Sequence, residues 1–493
     1  MLRYTGHPYI DIGVATITAF AGKKKPEQLS LSDLDSIADY ITDNYTVKPL
    51  RGFLTVAFPN SGFTLPNFFE EPEKQRLYAD RVLRSYRADT PSTGELDVFF
   101  NAPVPAIPFD VKGELAPGRA YRQHIPLSTG EEVINFFPNG DAGTPISGEA
   151  LLAIQAIPLG CAKSGGRMLG VHSDNNKITL FFAQKFLEEN RKILQISRGE
   201  DKFPETHLTL RTLVIETLLN ASEMQKELKE DSEPFSITVY HISNSGQQPS
   251  LDIYHLPLQV ISFIRKMMSA DFRREWMLIV QRSWEIAPEK KGKKLEKKTD
   301  FVPHKNYLFE DLFRLPENAN RFLRTYFLRM ALKLAWKDES DPRQSYSTKS
   351  EIEIVSWKIT QEFLRRIMNM EQDRVDQIRD MGDRLAEYVS GQNDKRFFQE
   401  FFTQNRYDYF RSRLLKTNLA HVKRGNSPII EFEPYVQAFE EGVELARPDW
   451  RLARDLILIR MVERLHALGW FGKNPDALTD ELIESEQEIN NTN

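Results

Sequence analysis

The polar stretch Trp336-Lys-Asp-Glu-Ser-Asp-Pro-Arg-Gln-Ser-Tyr-Ser-Thr348 separates two parts of the chain that differ in composition. Residues 343–493, which follow its proline, hold four of the 27 prolines and six of the 25 glycines. Helices exclude both residue types from their interiors. The stretch therefore predicts a linker, and the chain after it predicts a helical domain.

The part before this linker mixes helical and strand patterns. The fold class predicted is α+β, with a mixed α/β N-terminal region over residues 1–340 and an all-α helical bundle over 345–493. A helix is predicted after the N-cap Ser32, with Leu34, Ile37 and Ala38 on its apolar face. Strands or hairpins are predicted for Phe53–Phe58, for Phe235–His241, and for Arg167–Ser173 with Lys177–Phe182 around Asp174-Asn175-Asn176.

Composition bounds the class of protein. The 493 residues are 41% hydrophobic and 27% charged, which is typical of a globular chain of more than one domain and excludes general disorder. A single cysteine excludes internal disulfides and multi-cysteine zinc sites, and it fits a reducing compartment. We see no apolar run of the ~18–20 residues that span a membrane and no secretory signal pattern, so we expect a cytoplasmic protein without a membrane partner.

Enzyme signatures are not found in the sequence. It has no His-Glu-x-x-His, Gly-x-Ser-x-Gly or Gly-x-Gly-x-x-Gly pattern. Gly160–Arg167 lacks the Lys-Ser/Thr pair that a phosphate-binding loop needs after its second glycine. We interpret His241 as a hydrogen-bonded core histidine and Cys161 as a small buried hydrophobe. No catalytic residue, metal ligand or cofactor is predicted.

Some polar features suit nucleic acid, although each also has an ordinary structural interpretation. Lys23-Lys24-Lys25 follows the apolar segment Ile10–Ala21, and its ammonium groups suit either phosphates or a solvated helix end. Asn and Gln side chains in two strand-end loops carry donors and acceptors that suit base edges or plain turns. These loop residues are Asn60, Ser61, Asn244, Ser245, Gln247 and Gln248.

Basic residues form two further candidates. Lys163 and Arg167 flank a glycine pair, which suits either a phosphate contact or a hairpin connection. The stretch 395–424 combines eight cations with two carboxylates and seven interleaved aromatic residues, which suits a single-strand groove. Its phenylalanines at helical spacing are expected in the core. The backbone-contact candidates are Lys395, Arg396, Arg406, Arg411, Arg413 and Lys416.

Several segments together resemble the CXXC-CXXC family, the large subunit of type I-B CRISPR Cascade complexes. The resemblance begins with Tyr4-Thr-Gly-His-Pro-Tyr-Ile-Asp-Ile-Gly13, extends to about residue 260 and continues weakly around Arg379–Val389. The other segments are His124-Ile-Pro-Leu127, Asn135-Phe-Phe-Pro138, Ala156-Ile-Pro-Leu-Gly160, Gly165-Gly-Arg167, Tyr240–Gly246 and Leu251–Pro257.

The resemblance implies a non-catalytic subunit of a crRNA-guided complex. Such a subunit recognises a protospacer-adjacent motif in target double-stranded DNA, helps to open the duplex and stabilise the R-loop, and recruits a helicase–nuclease. Its other partners would be crRNA and the backbone, crRNA 5′-end-capping and small subunits of Cascade. The paired Cys-x-x-Cys motifs of the family are missing here, with Cys161-Ala-Lys-Ser164 as one possible remnant, so no zinc site is implied.

The resemblance also raises the possibility of an internal translation start. In type I-B systems such a start produces the small subunit, and Met368, Met370 and Met381 are candidates here, with core methionines as the alternative. Rival interpretations are a stand-alone nucleic-acid-binding protein or nuclease, and a purely protein-binding scaffold. An alternative to the recruited helicase–nuclease is transposition machinery.

Overall fold

The computed structural model describes residues 2–133, 140–197, 200–220, 234–245, 248–288, 301–333, 338–440 and 446–478. Gln247 and the Asn135–Pro138 motif lie outside these residues. The described chain forms two compact units. The first comprises the described parts of Met1–Thr217 and Phe235–Leu258, and the second those of Leu218–Pro234 and Gln259–Asn493.

The predicted fold class is confirmed, because small sheets and helices mix in the N-terminal region and the C-terminal region is all helical. None of the described helices has the length and apolar character needed to cross a membrane. The helices before residue 221 are α1 (Pro8–Phe20), α2 (Leu31–Asn44), α3 (Leu50–Ala57), α4 (Pro72–Leu83), α5 (Gly148–Ala156), α6 (Asn176–Ile196) and α7 (Leu210–Asn220).

Helix α1 is the centre of the first unit. Its residues Ile10 to Thr18 are all buried, since it packs against α5, α6 and the sheet. Gly13 permits the contact with α5, because a Cβ there would lie 2.0 Å from the carbonyl oxygen of Ala153. A helix that is apolar all round needs a partner on every side, and the segment Ile10–Ala21 obtains this by lying in the middle of the unit.

Within the described residues the strands form three antiparallel sheets, of which the largest has the order β5-β6-β7-β8. Within it Gly170 pairs with Tyr240, and Tyr240 pairs with Ile253. This register places β7 between β6 and β8 over its whole length. The strands are β1 (Ser92–Leu96), β2 (Pro103–Pro105), β3 (Arg119–Ala120), β4 (Thr144–Pro145), β5 (Ala162–Ser164), β6 (Arg167–Ser173), β7 (Ile237–Ser243) and β8 (Ser250–Leu256).

The second unit is built around α17, which is buried over most of its length. Helix α13 approaches it closely at Gly382, where a Cβ would lie 2.7 Å from Cβ of Arg460. The helices of this region are α8 (Leu258–Met267), α9 (Arg273–Gln281), α10 (Tyr307–Leu312), α11 (Ala319–Phe322), α12 (Trp357–Arg366), α13 (Gln372–Gln392), α14 (Lys395–Thr403), α15 (Tyr407–Lys423), α16 (Phe432–Phe439), α17 (Trp450–Ala467) and α18 (Trp470–Lys473).

The predicted linker is instead a packed part of the second unit in its described portion. Arg343 is buried and forms ion pairs of 2.6 Å with Asp311 and 2.7 Å with Asp341. Tyr346 is also buried, and the Arg329 guanidinium lies 3.4 Å from its ring centre. The division into units falls at Leu258, not at the predicted boundary of residues 340–345, because these polar residues bond to the helices before them.

Two local predictions are wrong. Phe53–Phe58 lies in helix α3 and its C-cap instead of a strand, since Leu50, Phe53, Leu54 and Ala57 repeat at the spacing of one buried helical face. Lys177–Phe182 lies in α6, not in a hairpin strand, because the Asn175 side chain accepts a hydrogen bond from the amide of Lys177 and caps that helix. The helix predicted after Ser32 is present, with Ser30 as its N-cap.

Candidate nucleic-acid interface

The structure joins the predicted loop at Asn244 to the C-terminal turn of α3, which leads into the other predicted loop at Asn60 and Ser61. The backbone amide of Asn244 donates to the Val56 oxygen at 2.7 Å, and its side-chain amide donates to the Ala57 oxygen at 2.8 Å. Arg122 completes the contact by donating to the Asn244 side-chain oxygen at 2.9 Å and to the Ser245 oxygen at 2.8 Å. Asn244 is fully buried, so its side chain joins the loops and does not face a DNA groove.

The remaining loop residues differ in exposure. Ser61 is fully buried, and its hydroxyl lies 3.2 Å from that of Thr64. The half-buried Ser245 donates its hydroxyl to the Gln248 oxygen at 3.2 Å. The side chains of Asn60 and Gln248 are exposed, and each lies within four residues of the Asn244–Ala57 contact. Among the described loop candidates these two are accessible to a base edge.

Lys163 and Arg167 bond to their own unit. Lys163 donates to the Phe203 oxygen at 2.9 Å, and Arg167 pairs with Asp252 at 2.5 Å. Between them Gly165 and Gly166 have φ values of 55° and 73°, which suits a tight turn between β5 and β6. The hairpin interpretation of this segment is confirmed.

The triple lysine lies just beyond the C-terminus of α1. Lys24 and Lys25 are exposed, and Lys23 is half-buried. The Lys23 backbone amide donates to the Thr18 oxygen and closes the helix. Within the described part of the chain, no carboxylate lies within ion-pair distance of Lys24 or Lys25. Their charges remain uncompensated by local contacts.

In the helical region, carboxylates pair with five of the six predicted backbone-contact cations. The stretch 395–424 itself contains only two of the four carboxylates involved, since Glu440 and Asp476 reach α14 and α15 from distant positions. Lys416 has no carboxylate partner among the described residues. The pairs are Lys395–Asp476, Arg396–Glu400, Arg406–Asp408, Arg411–Glu440 and Arg413–Glu400.

A groove between α14 and α15 keeps several of these cations accessible. Its volume is about 410 Å³, and its walls include Arg396, Arg413, Lys416 and one carboxylate, Glu400. Tyr409 lies at the same groove with 55% of its surface exposed. The Arg406 guanidinium lies 4.4 Å from the Tyr409 ring centre. Exposed aromatic rings next to cations are typical of surfaces that bind single-stranded nucleic acid. We call this surface the α14–α15 groove.

The groove is supported by the core that the sequence analysis expected. Phe397, Phe398, Phe401, Phe402 and Phe410 are buried. The exposed Asp408 carboxylate accepts hydrogen bonds from Arg406, and these lower its pKa. Arg406 and Asp408 therefore both stay charged at neutral pH. The pair is exposed on both sides, so its net contribution to folding is small.

Buried titratable groups elsewhere carry structural roles. Burial raises the pKa of the Cys161 thiol and keeps it protonated, which agrees with its interpretation as a hydrophobe. Burial lowers the pKa of His241, whose Nε2 donates to the Ser164 oxygen at 2.8 Å. Among the described residues, no three His, Cys, Asp or Glu side chains lie close enough together to hold a metal ion.

Comparison with known proteins adds no relative. No family model matches the chain, and neither a curated protein nor a solved structure matches it.

Proposed function

We propose that this chain is a non-catalytic nucleic-acid-binding subunit, and specifically the large subunit of a crRNA-guided type I-B complex. The observation that carries nucleic-acid binding is the α14–α15 groove, where Arg396, Arg413 and Lys416 lie beside the exposed ring of Tyr409. Cations along a groove attract the phosphate backbone, and the ring offers a base a stacking surface. The assignment to type I-B rests on the resemblance of the N-terminal segments alone.

In this proposal the two units bind different parts of the target DNA. The first unit carries motif recognition in duplex DNA, with Asn60 and Gln248 as the accessible side chains of the joined loops. Asn244 and Arg122 hold these loops in place and act as positioning residues. The second unit holds displaced or target-strand DNA in the α14–α15 groove. Neighbouring subunits supply the crRNA, and a helicase–nuclease docks after target binding.

A variant with Arg396→Gln, Tyr409→Ala and Lys416→Gln tests the groove. We expect it to weaken binding of a labelled single-stranded oligonucleotide for every sequence and to flatten the salt dependence by about one unit of slope per lost contact. Lys423→Gln is the matched control, because Lys423 is exposed on the same helix outside the groove. If the triple variant, the control and the parent bind equally at two salt concentrations, the groove is not a nucleic-acid-binding surface.

The assignment to a guide complex needs a separate experiment. The chain is expressed with a CRISPR RNA and candidate Cascade subunits, and the purified assembly is given a duplex library with a randomised motif. Selection of one motif supports the proposal, and Asn60→Ala or Gln248→Ala should relax that selection. No association with guide RNA, or no selection from the library, would overturn it.

An internal start is compatible with the helix boundaries. Met368 and Met370 lie between α12 and α13, so a product from either keeps α13 to α18 whole. Met381 is buried within α13, and a start there would remove half of a helix that packs on α17. Intact-mass analysis of the purified assembly checks this. Full-length chain alone would exclude a separate C-terminal product.

A protein-binding scaffold is the second candidate, and an apolar stripe on α15 favours it. Leu415, Leu419 and Val422 follow the i, i+4, i+7 spacing of one helical face and are 49%, 56% and 40% exposed. Exposed apolar stripes of this kind are typical of protein contacts. If the assembly fails to shift any nucleic acid but Leu419→Lys releases a neighbouring subunit, the scaffold replaces the first proposal.

A further inference from the structure

A cleft in the first unit is lined by polar groups that neither the sequence analysis nor the α14–α15 groove includes. It lies where the C-terminal parts of α2 and α6 meet, and its volume of about 540 Å³ falls in the range of ligand pockets. Two cations, one hydroxyl and two amides converge on it. The lining residues are Tyr40, Asn44, Val47, Lys48, Arg191, Leu194 and Gln195.

Aromatic rings position the central cation of this cleft. The Arg191 guanidinium lies 4.5 Å from the ring centre of Phe20 and 5.5 Å from that of Tyr40. The two rings are themselves 5.2 Å apart. No carboxylate in the described part of the chain pairs with Arg191. A cation held by rings keeps its full charge for an external anion, unlike the paired arginines of α14 and α15.

The second cation is held only weakly. Lys48 pairs with Asp201, whose side chain is 80% exposed. Exposed pairs of this kind contribute little to stability, so a phosphate group can take the place of Asp201 at little cost. Arg191 and Lys48 thus offer two positive charges on one cleft.

Positive charge continues beyond the cleft. Phe20 ends α1, and Lys24 follows it by four residues, which limits their Cα separation to about 14 Å. Lys24 and Lys25 have no carboxylate partners among the described residues. A ligand that is longer than one nucleotide would therefore have further cations within reach of the Phe20–Tyr40 ring pair.

We infer that this cleft binds one nucleotide of a single-stranded nucleic acid, with Arg191 and Lys48 on its phosphate and the Tyr40 ring beside its base. Lys24 and Lys25 contact the backbone of the adjoining nucleotides. The inference rests on the proposed function in one respect, since both need nucleic acid as the ligand. It adds a second binding surface in the first unit, independent of the α14–α15 groove.

Two charge-reversal variants on one helix test the cleft. The full-length chain is titrated with fluorescein-labelled dT15, and Arg191→Glu is compared with Lys192→Glu, which makes the same charge change on α6 outside the cleft. Lys192 is exposed and pairs with Glu189. We expect about tenfold weaker binding for Arg191→Glu, because a phosphate contact is lost and a repulsive carboxylate is added, and less than a twofold change for Lys192→Glu.

Lys48→Glu repeats the test at an exposed side chain, where the substitution should not disturb folding. It should also weaken the binding of dT15 several-fold. A dT15 strand with 5-bromodeoxyuridine is then crosslinked by ultraviolet light, and we expect the crosslinked peptide to contain Tyr40. Three outcomes would each overturn the inference and leave the proposed function intact. They are equal effects of Arg191→Glu and Lys192→Glu, no effect of Lys48→Glu, and crosslinks confined to α14 and α15.

Two further outcomes separate the alternatives. If thymidine monophosphate binds as tightly as dT15, the ligand is a free nucleotide instead of a strand, and the inference is overturned. No binding of dT15 by the parent chain would overturn the inference, and no binding of nucleic acid by the whole assembly would overturn the proposed function as well.

Discussion

The joined loops of the first unit and helix α15 of the second unit have similar polar residues but opposite environments. Asn244 is fully buried, and its side chain bonds to Ala57 and Arg122. Helix α15 buries only Phe410, Leu414 and Thr417 and leaves most of its other side chains partly or fully exposed. A polar side chain is available to a ligand only where the fold leaves it exposed, and residue type does not show which case applies.

Asn244→Ala should have the largest effect on stability. It leaves the Ala57 oxygen and Nε of Arg122 without the Asn244 side chain as a partner, while the guanidinium keeps its bonds to the backbone oxygens of residues 244 and 245. We expect the free energy of unfolding of the first unit to fall by about 4 kcal/mol. Urea denaturation measures it. Gln248→Ala, at an exposed side chain of the same loop, is the control and should change the free energy by less than about 0.5 kcal/mol. A stable Asn244→Ala variant with relaxed motif preference would instead assign Asn244 to base recognition.

His124 should make the first unit sensitive to acid. Burial lowers its pKa from 6.5 to about 4, and its Nδ1 accepts the backbone amide of Tyr121 at 3.2 Å. The unfolded chain binds a proton near pH 6.5 while the folded chain does not, so stability is lost as pH falls from about 6.5 to about 4. The loss is about 3 kcal/mol.

Urea denaturation between pH 7 and pH 4 checks this dependence. His124→Gln should be less stable at pH 7 but should lose less stability on acidification than the parent. An equal loss in both proteins would assign the acid sensitivity to other groups.

Two neighbouring leucines test whether one face of α15 is exposed in the free protein. Leu414 is 2% exposed and Leu415 is 49% exposed on the same helix. Leu414→Ala should cost at least about 2 kcal/mol, because it leaves a cavity, whereas Leu415→Ala should change stability by less than about 0.5 kcal/mol. Thermal unfolding measures both. A large effect of Leu415→Ala would mean that α15 is covered in the free protein.

The smallest effect is expected at the Arg406–Asp408 pair, which is more than 60% exposed on both sides. Arg406→Gln should not change the free energy of unfolding measurably, because solvent screens a fully exposed pair. If oligonucleotide binding weakens with unchanged stability, Arg406 belongs to the ligand surface, as the sequence suggested. A change in stability without a change in binding would assign it to the fold.

The helical C-terminal region and the buried phenylalanines of 395–424 were predictable, because helical periodicity and the scarcity of proline are local properties. Phe53–Phe58 was misread because a short apolar run suits a strand as well as a helix. The linker was misread because Arg343 and Asp341 look solvated until Asp311, some thirty residues away, is placed beside them.

The candidate site divides in the same way. The amino-acid sequence by itself determined the fold class, the basic and aromatic content of α14 and α15, and the presence of the triple lysine after an apolar segment. Only the tertiary structure decided that Asn244 is a buried positioning residue. It also decided that Glu440 and Asp476 form ion pairs with two of the predicted cations, and that the Arg191 guanidinium lies beside two rings. The reason is that burial and pairing depend on residues far apart in the chain, which composition and spacing do not encode.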